Sequence, residues 1–308
     1  MTVRSFPCLE TEELLAFVAD NSALGIHRAG YNGLASLIPK RTGNNILVPL
    51  YAGLNYEIIS LQGLPPYPGG GAFEPRREPM HIESADAGKV ILVQPETSHA
   101  HVSARITFRV EEPCYVHQQI ELTFHRRFCA EQEKSSFSSL WASYIHMPPD
   151  RHVYLKPDAS AGDELSGWLG LTKEDHGSPD YLMRPLPDGR ELTPPQHLEA
   201  MAACEPLSKE AQRRLPRRPD EGPLDFYYGL CHGEHLFLMM FRQPERVRLA
   251  YSPCGAGKQP AWNPAWDYVL VLDDARIGET FRWDVCLALK EYRGRADALE
   301  EVRRYLDG

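Results

Sequence analysis

Two runs between positions 99 and 125 restrict the architecture of this chain more than any other part of it. In HAHVSARITFRV, the residues Val102, Ala104, Ile106, Phe108 and Val110 alternate with Ser103, Arg105, Thr107 and Arg109. In YVHQQIELTFH, Val116, Ile120, Leu122 and Phe124 alternate with His117, Gln119, Glu121, Thr123 and His125, and Gln118 breaks the pattern. Side chains two apart project from the same face of a strand. Each run therefore reads as a strand with one apolar and one polar face, with Glu112-Pro113 in the turn between them. The polar face is either solvated exterior or the floor of a groove.

Most of the remaining chain follows the same style. Short strands are predicted from His27 to Leu61, with turn signals at Asn32-Gly33 and Gly43-Asn44, and again in KVILVQ, SSLWASYIHM, LDFYYGL, HLFLMMF, RVRLAY, WDYVLVL and TFRWDVCLALK. Residues 65 to 79, PPYPGGGAFEPRREP, read as a loop. Amphipathic helices are expected at 11–20, where Thr11 is a cap and Leu14, Leu15 and Val18 share a side, and at 296–306. Between about 155 and 224, ten prolines and many charges mark an excursion, with short helices in HLEAMAACEPL and SKEAQRRL. Strands in hairpin order without strand-helix alternation predict a mainly β protein: a large antiparallel β-sandwich with short terminal helices. No shift in composition isolates separate halves, so the whole chain, 1–308, reads as one domain carrying the excursion.

Composition narrows the classes of function. Proline, at 26 of 308 residues, is about 8% against a usual ~5% and fits rigid connections between short strands. The net charge of −9 gives no basic footprint, which argues against nucleic acid and an anionic membrane surface as partners. Seven scattered cysteines without a CxxC pair argue against a disulfide framework or a structural zinc site. No apolar run approaches the ~20 residues of a membrane span, and the N-terminal stretch lacks a secretory pattern. The expectation is a soluble, cytoplasmic protein.

Several groups could carry chemistry. Six of the twelve histidines fall between 99 and 152. On a strand, His99 and His101 would share a face and suit a divalent metal if Glu121 or His117 supplied a third ligand; this cupin-like metal enzyme is the lesser alternative, and the leading expectation is no cofactor. The preferred constellation is His117 with Glu121 on one face and Glu57 of GLNYEII on a nearby strand, as acid and base acting on a sugar. Arg41, Asn45, His99, His101, Arg105, Gln119 and His146 offer hydrogen bonds to a substrate, and Trp141 and Trp262 offer stacking faces. WNPAWD, residues 262–267, is either a binding rim with Asp267 pointing inward or a strand entry in which Trp266 fills the core. SPCGAGKQP lacks the strand-to-helix setting of a phosphate loop, and no GxSxG, HExxH or GxGxxG is present.

The polar-faced strand pair, the run LVPLYAGLNYEII and the ending WNPAWDYVLVL resemble the galactose-mutarotase-like supersandwich group of carbohydrate-associated β proteins. The resemblance implies a curved sheet whose polar groove takes carbohydrate or another polyhydroxylated small molecule. It also implies a histidine and a glutamate as acid and base, with His117 and Glu121 the nearest by type. The expected function is therefore carbohydrate binding, or epimerase-, lyase- or hydrolase-type turnover if the protein is an enzyme. The alternative from another class is a noncatalytic β-sandwich module that recruits a protein through exposed aromatic loops.

Overall fold

The computed structural model describes residues 6–21, 32–49, 51–64, 67–68, 73–126, 135–158, 163–176, 181–214, 223–253 and 263–308. The two alternating runs form β7 (Val102–Glu111) and β8 (Tyr115–Phe124), paired antiparallel from Val102↔Phe124 to Glu111↔Tyr115. They belong to a ten-stranded sheet ordered β12-β11-β10-β13-β14-β17-β8-β7-β6-β5. Its other members are β5 (His81–Ala85), β6 (Lys89–Gln94), β10 (Val153–Leu155), β11 (Leu169–Thr172), β12 (Leu182–Pro185), β13 (Phe226–Cys231), β14 (His235–Phe241) and β17 (Thr280–Glu291). A four-stranded sheet is ordered β15 (Val247–Ser252), β16 (Ala265–Ala275), β9 (Ser135–Ala142) and β4 (Asn55–Leu61). A three-stranded sheet joins β1 (Cys8–Glu10), β2 (Leu14–Ala19) and β3 (Gly33–Pro39).

The two larger sheets pack face to face through the apolar sides of their strands. Phe124 of β8 meets Phe137 of β9 edge-on at 4.8 Å, and Phe237 of β14 meets Trp266 of β16 at 5.8 Å. Gln118, which breaks the alternation of β8, lies on this buried side. Its Nε2 donates to the Leu54 carbonyl (3.0 Å) and its Oε1 accepts from the Tyr268 hydroxyl (2.6 Å), so its amide is hydrogen-bonded inside the interface. Trp266 is wholly buried, so WNPAWD enters the core at this residue; Trp262 lies outside the described residues. Trp266 also fills the place a side chain would take on Gly229, where an added Cβ would fall within its ring. Gly229→Ala is expected to destabilise by about 1–3 kcal/mol through overpacking. Gly88→Ala, which meets nothing, is expected to leave the urea midpoint unchanged.

The expected N-terminal helix needs correction. Residues 11–20 do not form a helix: Leu14, Ala16 and Val18 are buried alternately in β2, which β1 and β3 flank. The excursion at 155–224 holds the short helices expected in it. It contributes β11 and β12 to the edge of the large sheet, together with α1 (Pro194–Ala203) and α2 (Lys209–Arg214). These short strands follow Val153–Leu155 and carry too few residues each to show a period. The C-terminal helix stands where expected, as α3 (Arg295–Asp307). Among the described residues no helix is long and apolar enough to cross a membrane.

Candidate functional site

The face of the large sheet turned away from the small one is divided. Over β10 and β11 it is covered, with His197 and Met201 of α1 packed against Tyr154 and Gly170. Over β7, β8 and β17 it is open and polar, and a cleft of about 710 Å³ lies there. Its floor holds Thr107, Arg109, His117, Gln119, Asp284 and Cys286, its walls being the end of α3 and the β7–β8 turn. Strand register sets the floor: His117 is flanked by Arg109 and Cys286, and Gln119 by Thr107 and Asp284.

These neighbours decide the state of His117. Burial, and then the Arg109 charge, hold its pKa below the ordinary histidine value; Glu111 opposes them and Arg242 adds to them. The imidazole is therefore neutral at pH 7. Its Nε2 lies 3.1 Å from Glu111 Oε2 but without the alignment of a hydrogen bond, so a proton acceptor sits beside a carboxylate able to stabilise its charged form. Gln119 Nε2 donates to Asp284 Oδ1 at 3.0 Å. The Tyr305 hydroxyl donates to the Asp284 carbonyl (3.1 Å), and the Arg242 guanidinium lies 4.8 Å over the Tyr305 ring. Burial raises the Cys286 thiol far above its ordinary value, which removes it as a nucleophile.

The other residues singled out from the sequence are dispersed. Glu121 shares the face of His117 but lies four residues along the strand, about 13 Å away, where it accepts from Arg282 Nε (3.0 Å). One proton cannot pass directly between them. Arg105 forks onto Glu83 at 3.0 and 2.6 Å. His99 and His101 precede β7 rather than lying on it. His101 adopts φ +50° with Nδ1 2.6 Å from Glu96, and the His99 ring lies 5.7 Å from that of Tyr67, so the expected His-x-His strand face does not form. Among the described residues no group of three or more His, Cys, Asp or Glu is placed to hold a metal. Arg41 donates to the Gly233 carbonyl at 2.7 Å. Asn45 accepts from Leu37 and Leu47 amides at 3.0 and 3.1 Å, which ties down its own loop. Trp141 is buried between Tyr56 and Tyr268, and Nδ1 of the half-buried His146 is enclosed without a partner.

Glu57 and Asp267 form a second, enclosed centre. Glu57 is the extra residue of a bulge between Tyr56 and Ile58, a distortion that re-aims a side chain. Its Oε1 accepts from Arg76 Nη1 (2.5 Å) and from the Tyr144 hydroxyl (2.6 Å). Asp267 Oδ1 accepts from the Ser143 amide at 2.9 Å. Burial and then the Glu57 charge raise the Asp267 pKa well above the carboxylate range, against the Ser143 bond and Arg76. This environment favours the protonated form of Asp267. Nε and Nη2 of Arg76 are buried without partners.

Among these groups, Arg76, Glu111, Arg242 and Tyr305 were not foreseen. Glu111 alone had a signal, since it continues the polar parity of Arg105, Thr107 and Arg109.

No protein-family model matches the chain, and no curated protein matches it either. Solved structures do. A candidate aldose 1-epimerase from Escherichia coli K12 superposes with a TM-score of 0.52 at 11% identity, over 93% of this chain and 99% of that one. The α-N-acetylgalactosaminidase NagBb of Bifidobacterium bifidum, in its complex with Gal-NHAc-DNJ, gives 0.52 at 10% identity, and in its GalNAc complex 0.51 at 12%. In both, the match covers 97% of this chain, which spans 38% of the hydrolase. The antiparallel sheets packed face to face, and their superposition on these structures, give the chain the galactose-mutarotase-like fold.

Proposed function

We propose that this protein is carbohydrate-active and that its sugar site is the groove over β8 and β17. The observation that carries the reading is the neutral His117 on an open polar floor, with Arg109 in register beside it and Gln119 and Asp284 two residues further along, presenting both donors and acceptors. Hydroxyl groups act as donor and acceptor at once, and a floor of mixed polarity satisfies both. Tyr305 adds aromatic surface for the apolar side of a pyranose. In turnover, His117 accepts a proton from a sugar hydroxyl, and Glu111 stabilises the imidazolium that forms. The neighbours described as an aldose 1-epimerase and an α-N-acetylgalactosaminidase support a carbohydrate ligand.

Thermal unfolding against mono- and oligosaccharides, uronic acids and divalent metals tests the reading. A sugar present at a hundredfold excess over its Kd is expected to add ~2.7 kcal/mol to native stability. His117→Ala and Gln119→Ala are each expected to weaken that sugar at least tenfold, whereas Glu121→Ala leaves it unchanged. A shift with metal alone, or a sugar shift that survives His117→Ala, would remove this groove as the site.

The Glu57–Asp267 centre supports a second reading, because two carboxylates with unlike environments are suited to acid and base roles. If chemistry takes place there, Asp267→Asn abolishes turnover and leaves binding in the outer groove intact.

A further inference from the structure

The groove continues beyond the cleft that holds His117. A second cleft of about 440 Å³ shares Pro113, Tyr115, Glu301 and Arg304 with the first. Both run along β17: the first is lined by Asp284, Val285 and Cys286, the second by Leu289, Lys290 and Glu291. From Asp284 to Glu291 the strand extends about 24 Å. That length exceeds a monosaccharide and accommodates several pyranose rings in line. Residues of α3 and of the β7–β8 turn line both clefts, and Glu12, Glu13 and Pro39 to Arg41 add a further wall to the second.

A side-chain bridge divides the clefts. The Tyr115 hydroxyl donates to Glu301 Oε2 at 2.7 Å, and Arg304 bonds the same oxygen while its guanidinium lies 5.0 Å over the Tyr115 ring. The Arg304 side chain is 60% exposed and stands in the last turn of α3, so it can swing outward without disturbing the core. The Tyr115 ring beneath it is buried and fixed. With the guanidinium displaced, the ring is an aromatic platform midway along the groove. The second cleft carries both signs of charge, from Arg41, Lys40 and Arg293 to Glu12, Glu13 and Glu291, so it presents donors and acceptors without a net demand for an ion.

We propose that the groove binds a linear oligosaccharide that spans both clefts, with one ring taking the place of the Arg304 guanidinium on Tyr115. This rests on the sugar-binding reading of the first cleft. Binding of cello-, manno- and galacturono-oligosaccharides of one to six residues, followed by calorimetry, tests it. The series that binds is expected to gain at least tenfold in affinity from dimer to hexamer. Arg41→Ala/Arg293→Ala, two exposed positions of the second cleft, is expected to remove that gain and leave the dimer unaffected. Arg304→Ala is expected to tighten the hexamer and not the dimer. A sugar that binds through His117 with equal affinity at every length overturns this inference and leaves the first cleft standing. Failure of every sugar to bind overturns both.

Discussion

Acidification from pH 6.5 to pH 4 is expected to remove about 3 kcal/mol of stability through one residue, His197. Its imidazole is wholly buried under α1, with Nε2 2.5 Å from the Tyr292 hydroxyl and the Tyr154 ring at 5.0 Å. Burial holds its pKa down to about 4; Asp150 opposes this and Arg295 adds to it. In the unfolded chain the same ring takes up a proton near 6.5. Between those values the unfolded state binds more protons than the folded one, so stability falls as pH falls and changes no further below the lower value. His117 and His235, also held low by burial, act with the same sign. Urea midpoints at several pH values would show the slope. In His197→Gln it is expected to shrink by the share of this residue, and an unchanged slope would refute the assignment.

The second large effect concerns Arg76. The Arg76–Glu57 pair is almost entirely removed from water, with side-chain exposures of 1% and 4%. Loss of one member of such a pair leaves an uncompensated charge in the interior, at a cost of about 3–5 kcal/mol. Arg76→Met is expected to fall in that range, because Glu57 then keeps only the Tyr144 hydroxyl as a partner for its Oε1. Glu57→Gln in the same chain neutralises the orphan. The double variant is therefore expected to be more stable than Arg76→Met alone, giving a double-mutant cycle with a large coupling energy. Additive costs in urea unfolding would mean that the two groups do not depend on each other.

These two centres differ in how far the sequence reveals them. The outer groove is legible because β7 and β8 are long and alternate in all but Gln118, which sets Arg105 with Thr107 and His117 with Gln119 on polar faces. What failed there was distance along the strand: a shared face does not bring His117 and Glu121 within reach. The register of β17 against β8, which sets Asp284 beside Gln119, is a pairing across 165 positions with no local mark. Arg76 comes from a proline- and glycine-rich segment whose path only tertiary packing fixes. The misread stretch at 11–20 has a different cause. In six residues, LLAFVA fits both a helical and a strand period, and pairing with β1 and β3 decides between them. His101 failed for a backbone reason, since φ +50° takes it out of the extended chain that His-x-His assumes.

The place of β17 in the large sheet has a consequence for biosynthesis. It is the last strand described, yet it lies between β14 and β8. Until it emerges, β8 and β14 each present an open row of backbone donors and acceptors, and β14 is the apolar run HLFLMMF. At ordinary translation rates, the interval between the end of β8 and the start of β17 is roughly 8–30 s. Throughout it the β8 edge is open, and once β14 has been made the nascent chain carries two sticky edges that β17 closes. A ribosome that stalls before position 280 would release a chain in which β8 and β14 are both unpaired along one edge, a template for aggregation, so cellular yield should depend on chaperone shielding until β17 emerges.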